Sequence, residues 1–197
     1  GNPNLANIYE DIPLAANNGD YVNDLIARMA PLGGITDVDP GALKGIAIIG
    51  ANQNNGTWQF STNRGATWTN FGSTSSAAAL LLATDSKVRF VPKKDYSGPS
   101  GFTFVAWDRT AGLPGQKASA LIRGGASPFS IQKDSSYLNV NPINDAPVLN
   151  YRGNPTITRA TGDSPSVSSL GTLVADVLQR MKPAGGIMDV DPNAVSG

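Results

Sequence analysis

Large apolar residues in this chain come in short bursts, each closed by Gly, Asn, Asp or Pro, and most bursts alternate with polar residues. Strict alternation places every second side chain on one face of a strand, so the pattern predicts half-buried β-structure. Trp58-Gln59-Phe60-Ser61-Thr62 and Ala66-Thr67-Trp68-Thr69-Asn70-Phe71 alternate around Asn63-Arg64-Gly65, which predicts a hairpin whose aromatic residues supply much of a core. Ala79–Leu82 and Lys87–Val91 read as a second strand pair around Thr84-Asp85-Ser86. Gly45-Ile46-Ala47-Ile48-Ile49 is a compact apolar strand, and Phe102–Trp107 alternates again after a loop over Pro92–Gly98. A first strand is expected near Leu5–Ile8, ending at Glu10-Asp11-Ile12-Pro13, and a last one over Tyr137-Leu138-Asn139-Val140. One segment breaks the rule: Val22, Leu25, Ile26 and Met29 recur at spacings of three and four, which predicts a short amphipathic helix. Some seven short strands, with turn residues roughly every 8–12 positions, indicate an all-β sandwich with one short inserted helix.

The pattern also repeats. Residues 1–45 align with 153–197 at a constant offset of 152, without a gap. Gly33-Gly34-Ile35-Thr36-Asp37-Val38-Asp39-Pro40 falls on Gly185-Gly186-Ile187-Met188-Asp189-Val190-Asp191-Pro192. Arg28-Met29 falls on Arg180-Met181, Asp24 on Asp176, and Gly1-Asn2-Pro3 on Gly153-Asn154-Pro155. A register held this long predicts an array with a period of 152 residues. On that reading, residues 1–145 form one complete module, and 146–197 form a linker and the N-terminal part of the next.

Composition narrows the function classes. The 15 basic and 15 acidic residues balance, so no field steers the chain toward nucleic acid or an anionic membrane surface. The 22 Gly and 14 Pro suit many turns and argue against a helical bundle. Without cysteine there are no disulfides, thiolate metal sites or thiol nucleophiles, and without histidine the commonest general base is missing. Ser97-Gly98 lacks the flanking glycines of a hydrolase elbow, and the glycines at 33–34 and 124–125 form no phosphate-binding fingerprint. The chain is therefore expected not to be an enzyme. No apolar run approaches the ~18 residues of a membrane-spanning helix, so no membrane insertion is expected of this segment.

Three motifs, taken in order, resemble a known family: Asp37-Val38-Asp39-Pro40, then Asp95-Tyr96-Ser97-Gly98 with Phe102–Asp108, then Val140-Asn141-Pro142-Ile143-Asn144-Asp145-Ala146-Pro147. The set is similar to the cadherin-like tandem repeat domains of large bacterial surface and adhesin-type proteins (RTX/VCBS type), and it spans residues 1–149. The resemblance implies a Greek-key β-sandwich of cadherin/Ig-like type, an extracellular or cell-surface location, and Ca2+ at the junctions between modules. Calcium takes six to eight oxygen ligands, and two Asp in one tight turn supply several. The implied junction set is Glu10 or Asp11, Asp108, Asn144 and Asp145 with Asp189 and Asp191 of the next module; Asp37 and Asp39 would serve the preceding junction. Asp11 keeps its acid one period on, as Asp163, whereas Glu10 faces Gly162. Asp95 is expected to shape its loop rather than to bind metal. The linker holds fewer acids than an animal cadherin and carries Pro142, which implies fewer ions and roughly millimolar affinity. The same Asp and Pro residues also suit plain turns for backbone reasons.

Three functions follow. The first is a calcium-stiffened spacer or adhesion module, whose partners are its neighbours in the same chain. The second is a structural subunit of an extracellular filament or sheath, with homotypic contacts or strand exchange between copies. The third is a carbohydrate-binding module with Trp58, Trp68 and Trp107 as stacking platforms.

Overall fold

A computed structural model describes residues 3–153, 155–157, 172–182, 184–191 and 194. The chain divides into two compact units, Gly1–Pro142 and Ile143–Gly197, so Asn144 and Asp145 belong to the second.

The first unit is a two-sheet, all-β structure with one short helix. In chain order it contains β1 (Ile8–Tyr9), β2 (Asp20–Tyr21), α1 (Val22–Ala27), β3 (Gly45–Ala51), β4 (Gly56–Ser61), β5 (Thr69–Asn70), β6 (Ala79–Ala83), β7 (Lys87–Pro92), β8 (Gly98–Trp107), β9 (Lys117–Ala118) and β10 (Phe129–Asn141). One sheet runs β1-β10-β8-β3-β6-β9, the other β2-β7-β4-β5. All pairings are antiparallel except β1 with β10, which are parallel.

Alternation decides which side chains fill the space between the sheets. Trp58 and Phe60 of β4, Phe90 of β7, and Phe102 and Phe104 of β8 share one core with Ile46 and Ile48 of β3. Trp58 lies at its centre, edge-on to Phe102 with ring centroids 5.0 Å apart and tilted against Phe90 at 5.1 Å. The intervening residues of the larger sheet are buried as well: Ala47, Leu81, Val105, Trp107 and Phe129 form a second cluster on its other face, with Ala120. A strand buried on both faces must be apolar throughout, which accounts for Ala79-Leu80-Leu81-Leu82-Ala83. Gly45 is required by this packing, because a Cβ there would lie 2.8 Å from both the Leu82 carbonyl oxygen and the Trp107 ring.

The structure corrects several expectations. β6 and β7 do not form a hairpin: β6 pairs with β3 and β9, and β7 with β4 and β2. The turn between them is closed by the Ser86 N–H on the Ala83 carbonyl, at 3.0 Å, and carries the chain from one sheet to the other. Both strands can therefore be apolar yet face different layers. The hairpin of β4 with β5 holds, but its second arm is only two residues long, because Ser61 and Asn63 draw the loop into side-chain bonds with Gly65 and Thr67. The last strand is much longer than Tyr137–Val140, running over 13 residues with an irregularity between Phe129 and Lys133. At the N-terminus, Leu5 is buried and bonds to Tyr137, but the strand itself covers only Ile8–Tyr9.

Helix α1 has no side-chain cap and is only six residues long, too short to stand on propensity alone. Its fixed place comes from burying Val22 and Leu25 in the sandwich core.

The second unit, described by itself, contains β11 (Val148–Asn150), α2 (Val174–Met181) and β12 (Gly186–Met188), with β11 and β12 paired antiparallel. α2 stands one period after α1. Met181 is buried, as Met29 is in the first unit, whereas Val174 is 66% exposed where Val22 is fully buried. The counterpart of the Leu5–Ile8 segment one period on falls largely outside the described residues, as does Asp163.

Candidate metal centre

Each unit carries its own share of the acids singled out in the sequence. In the first unit, Asp37 and Asp39 lie in an exposed turn closed by the Asp39 N–H on the Asp37 carboxylate, at 3.0 Å. In the second, the Asp191 N–H reaches the Asp189 carboxylate at the same 3.0 Å. The Asp145 N–H donates to the Asp191 carboxylate at 2.8 Å, and carboxylate oxygens of Asp145 and Asp191 lie within 4.8 Å of each other. Asn144 stands beside them, its amide turned back to the Asp145 carbonyl at 2.9 Å. The second unit thus brings Asn144, Asp145, Asp189 and Asp191 together through backbone bonds from the linker to the Asp-x-Asp turn.

Asp11 acquires a neighbour that its place in the sequence does not announce. Asp95, expected only to shape its loop, donates its backbone N–H to the Asp11 carboxylate at 3.3 Å. The two side chains place oxygens within 4.8 Å of each other. Both residues hold positive φ, 55° for Asp11 and 56° for Asp95, a region costly for most side chains but more open to Asp. Two adjacent acids, both in left-handed backbone, indicate a geometry fixed by its surroundings. Lys94 pairs with Asp95 at 2.6 Å and offsets part of the local negative charge. Glu10 is buried, with a backbone bond to the Asn141 carbonyl at 2.9 Å.

Asp108 is placed differently. Its carboxylate accepts the backbone N–H of Thr110 at 2.8 Å and the Thr110 hydroxyl at 2.6 Å. That is an Asx-type turn at the end of β8. Asp108 lines the same cleft of the first unit as Asp37.

Oxygen-only donors of this kind suit a hard divalent cation such as Ca2+. Each unit offers carboxylates in close pairs rather than a complete shell of six to eight ligands, so backbone oxygens and water would complete the coordination.

The tryptophans divide. Trp58 and Trp107 are buried, at 0% and 1% exposure, so neither ring can serve as a stacking platform. The Trp58 indole N–H bonds to the Asn52 carbonyl and the Ser100 hydroxyl, both at 3.1 Å. Trp68 does not join the core, contrary to the hairpin expectation. Instead it lies half-buried against the Arg89 guanidinium, 4.0 Å from ring to cation. Arg89 is 9% exposed and bonds to Gln59 at 2.8 Å and to the Leu14 and Asn17 carbonyls at 3.2 and 3.0 Å. Among the described residues its hydrogen-bond partners are neutral oxygens, and burial lowers its pKa from the ordinary arginine value. The alternation Val88-Arg89-Phe90 puts Arg89 on the outward face, but the loop that covers it is not legible in that pattern.

A cleft of about 300 Å³ in the first unit is lined by Asn52, Ser100, Thr103 and Tyr137 among apolar and glycine residues, with no carboxylate or amine. No described helix is long and apolar enough to cross a membrane. Comparison with protein-family models, curated proteins and solved structures gives no match. The fold defines the class, an all-β sandwich-like module followed by a second, smaller unit.

Proposed function

We propose that this chain is a stretch of a tandem array of non-enzymatic, Greek-key, cadherin-like modules, borne outside the cell as a spacer or adhesion unit and stiffened by calcium. The observation that carries this reading is one local frame occurring in both units at an offset of 152 residues. Arg28 donates to the Asn4 carbonyl at 2.9 Å, and Arg180 to the Thr156 carbonyl at 2.6 Å. Gly33 N–H meets the Met29 carbonyl at 2.8 Å, and Gly185 N–H meets Met181 at 2.8 Å. Gly34 and Gly186 hold φ of 146° and 145°. Both Asp-x-Asp turns then close with the same bond. A sequence repeat that also rebuilds its backbone bonds is what an array of like modules requires.

Calcium enters through the second unit, where Asp145 of the linker is tied to the Asp189-x-Asp191 turn. A cation held by Asn144, Asp145, Asp189 and Asp191 would fix the linker to the module that follows it. The absence of histidine and cysteine, which removes the commonest general base and the thiol nucleophile, supports a role without catalysis. The filament reading draws on a different observation, the exposed Leu173 and Val174 at the start of α2. Concentration-dependent sedimentation of the 197-residue chain would favour it.

Calcium titration by isothermal calorimetry tests the main reading. Binding in the roughly millimolar range, lost in Asp145→Ala and Asp189→Ala, is expected. No heat from the unaltered chain overturns the metal and leaves the acids as turn formers.

A further inference from the structure

Among the described residues, one three-residue segment of the shared frame is paired in the second unit and unpaired in the first. In the second unit, Gly186–Met188 is paired: Val148 faces Met188, Leu149 faces Ile187, and Asn150 faces Gly186. In the first unit the equivalent residues are Gly34, Ile35 and Thr36. No backbone hydrogen bond reaches these three among the described residues. Gly34 is exposed, whereas Gly186, at the same φ and opposite Asn150, is buried. The flanks agree on both sides. The Gly33–Met29 and Gly185–Met181 bonds are each 2.8 Å, and Ala42 N–H to Asp39 and Ala194 N–H to Asp191 are 3.2 and 3.3 Å. The first unit therefore holds Gly34–Thr36 between two closed turns, with the backbone donors and acceptors of these three residues unpaired among the described residues. A segment in that state is a template for another strand.

The segment borders a cleft of about 260 Å³ whose lining includes the exposed Leu43, so an added strand meets an apolar side chain as well as backbone groups. We propose that Gly34–Thr36 takes a second copy of the Val148–Asn150 strand, antiparallel, from the copy standing directly before Gly1 in the array. Thr36 then faces the added Val, Ile35 the added Leu, and Gly34 the added Asn. This rests on the tandem-array reading above. Two features of the supplying segment fit this role. Pro147, which has no N–H, marks where pairing begins. Tyr151 and Arg152 join Asn150 to Gly153, the counterpart of Gly1 one period on, so the strand directly precedes the frame it would complete. Each module would thus be completed by the linker of the one before it, which fixes both register and direction along the array.

Hydrogen exchange tests this on the 197-residue chain and on the same chain with a copy of Ile143–Arg152 placed before Gly1. The extension is expected to slow exchange at least tenfold at one or more amides of Gly34–Thr36. Proline at the added copy of Leu149 should abolish that protection and leave the amides of β3 and β8 unchanged. Equal rates with and without the extension overturn the pairing. Protection that instead rises with concentration in the unextended chain, and gains nothing from the extension, overturns the tandem placement in favour of another molecule. All arms are run in excess EDTA, so the pairing is read without calcium; protection here with no heat in the separate calcium titration removes only the metal, and heat there with no protection here removes only this strand.

Discussion

Arg28 joins two parts of the first unit that lie far apart in sequence, donating from one nitrogen to the Asn4 carbonyl at 2.9 Å and from the other to the Asp20 carboxylate at 2.7 Å. Asp20 in turn accepts the Ala6 N–H at 3.2 Å, so the N-terminal segment, β2 and the end of α1 are held by one guanidinium. Arg28→Ala should destabilise the unit by about 1–2 kcal/mol, because it removes two charge-assisted bonds at a partly exposed site where solvent weakens the ion pair. Arg28→Lys should recover only part of the loss, since an ammonium lacks the planar fork that reaches two acceptors at once. Urea unfolding checks both values, and a neutral Arg28→Ala would show that the frame is held by packing alone.

Trp58 lies at the centre of the core, fully buried among Phe71, Phe90 and Phe102. Trp58→Ala should cost about 3–5 kcal/mol, the range for deleting a large buried aromatic. Trp58→Phe should cost much less, about 1–2 kcal/mol, because the Ser100 hydroxyl still donates to the Asn52 carbonyl at 3.1 Å when the indole N–H is gone. Denaturant midpoints at unchanged slope separate the two.

Ser86 gives the opposite sign. Its hydroxyl is buried and, among the described residues, is the one buried side-chain polar atom without a hydrogen-bond partner. Ser86→Ala removes an unsatisfied group and nearly no volume, so stability should hold or rise by up to about 1 kcal/mol. The backbone bonds of Ser86, to Val22 and Ala83, are untouched by the change. A loss greater than about 1 kcal/mol in urea would reveal a partner for the hydroxyl in solution.

The elements are legible in the sequence where alternation and burial coincide. Trp58, Phe60, Phe102 and Phe104 alternate and all face the core, and Val22 and Leu25 mark a helical stripe that is buried, with Met29 buried in the turn that follows. The pattern is silent on partners. Ala79–Ala83 and Lys87–Pro92 are neighbours in sequence with a good turn between them, yet they enter different sheets. Which layer an apolar strand joins depends on tertiary packing, not on its own residues. The acids show the same division. Asp189 and Asp191 share a turn because they stand two positions apart, which a sequence displays directly. Asp11 and Asp95 meet across 84 positions, which only the fold brings together.

If calcium stiffens this chain through its acidic turns, the metal must raise the melting temperature of the folded state. The 197-residue chain would be melted in about 10 mM calcium and again in excess EDTA. At roughly ten times a millimolar dissociation constant, binding to the folded state alone adds about 1.4 kcal/mol. That corresponds to a rise of about 3–6 °C in the transition, which Asp145→Ala and Asp189→Ala should erase. Superimposable curves in calcium and EDTA would contradict the calcium reading and leave an array of plain β-modules joined without metal.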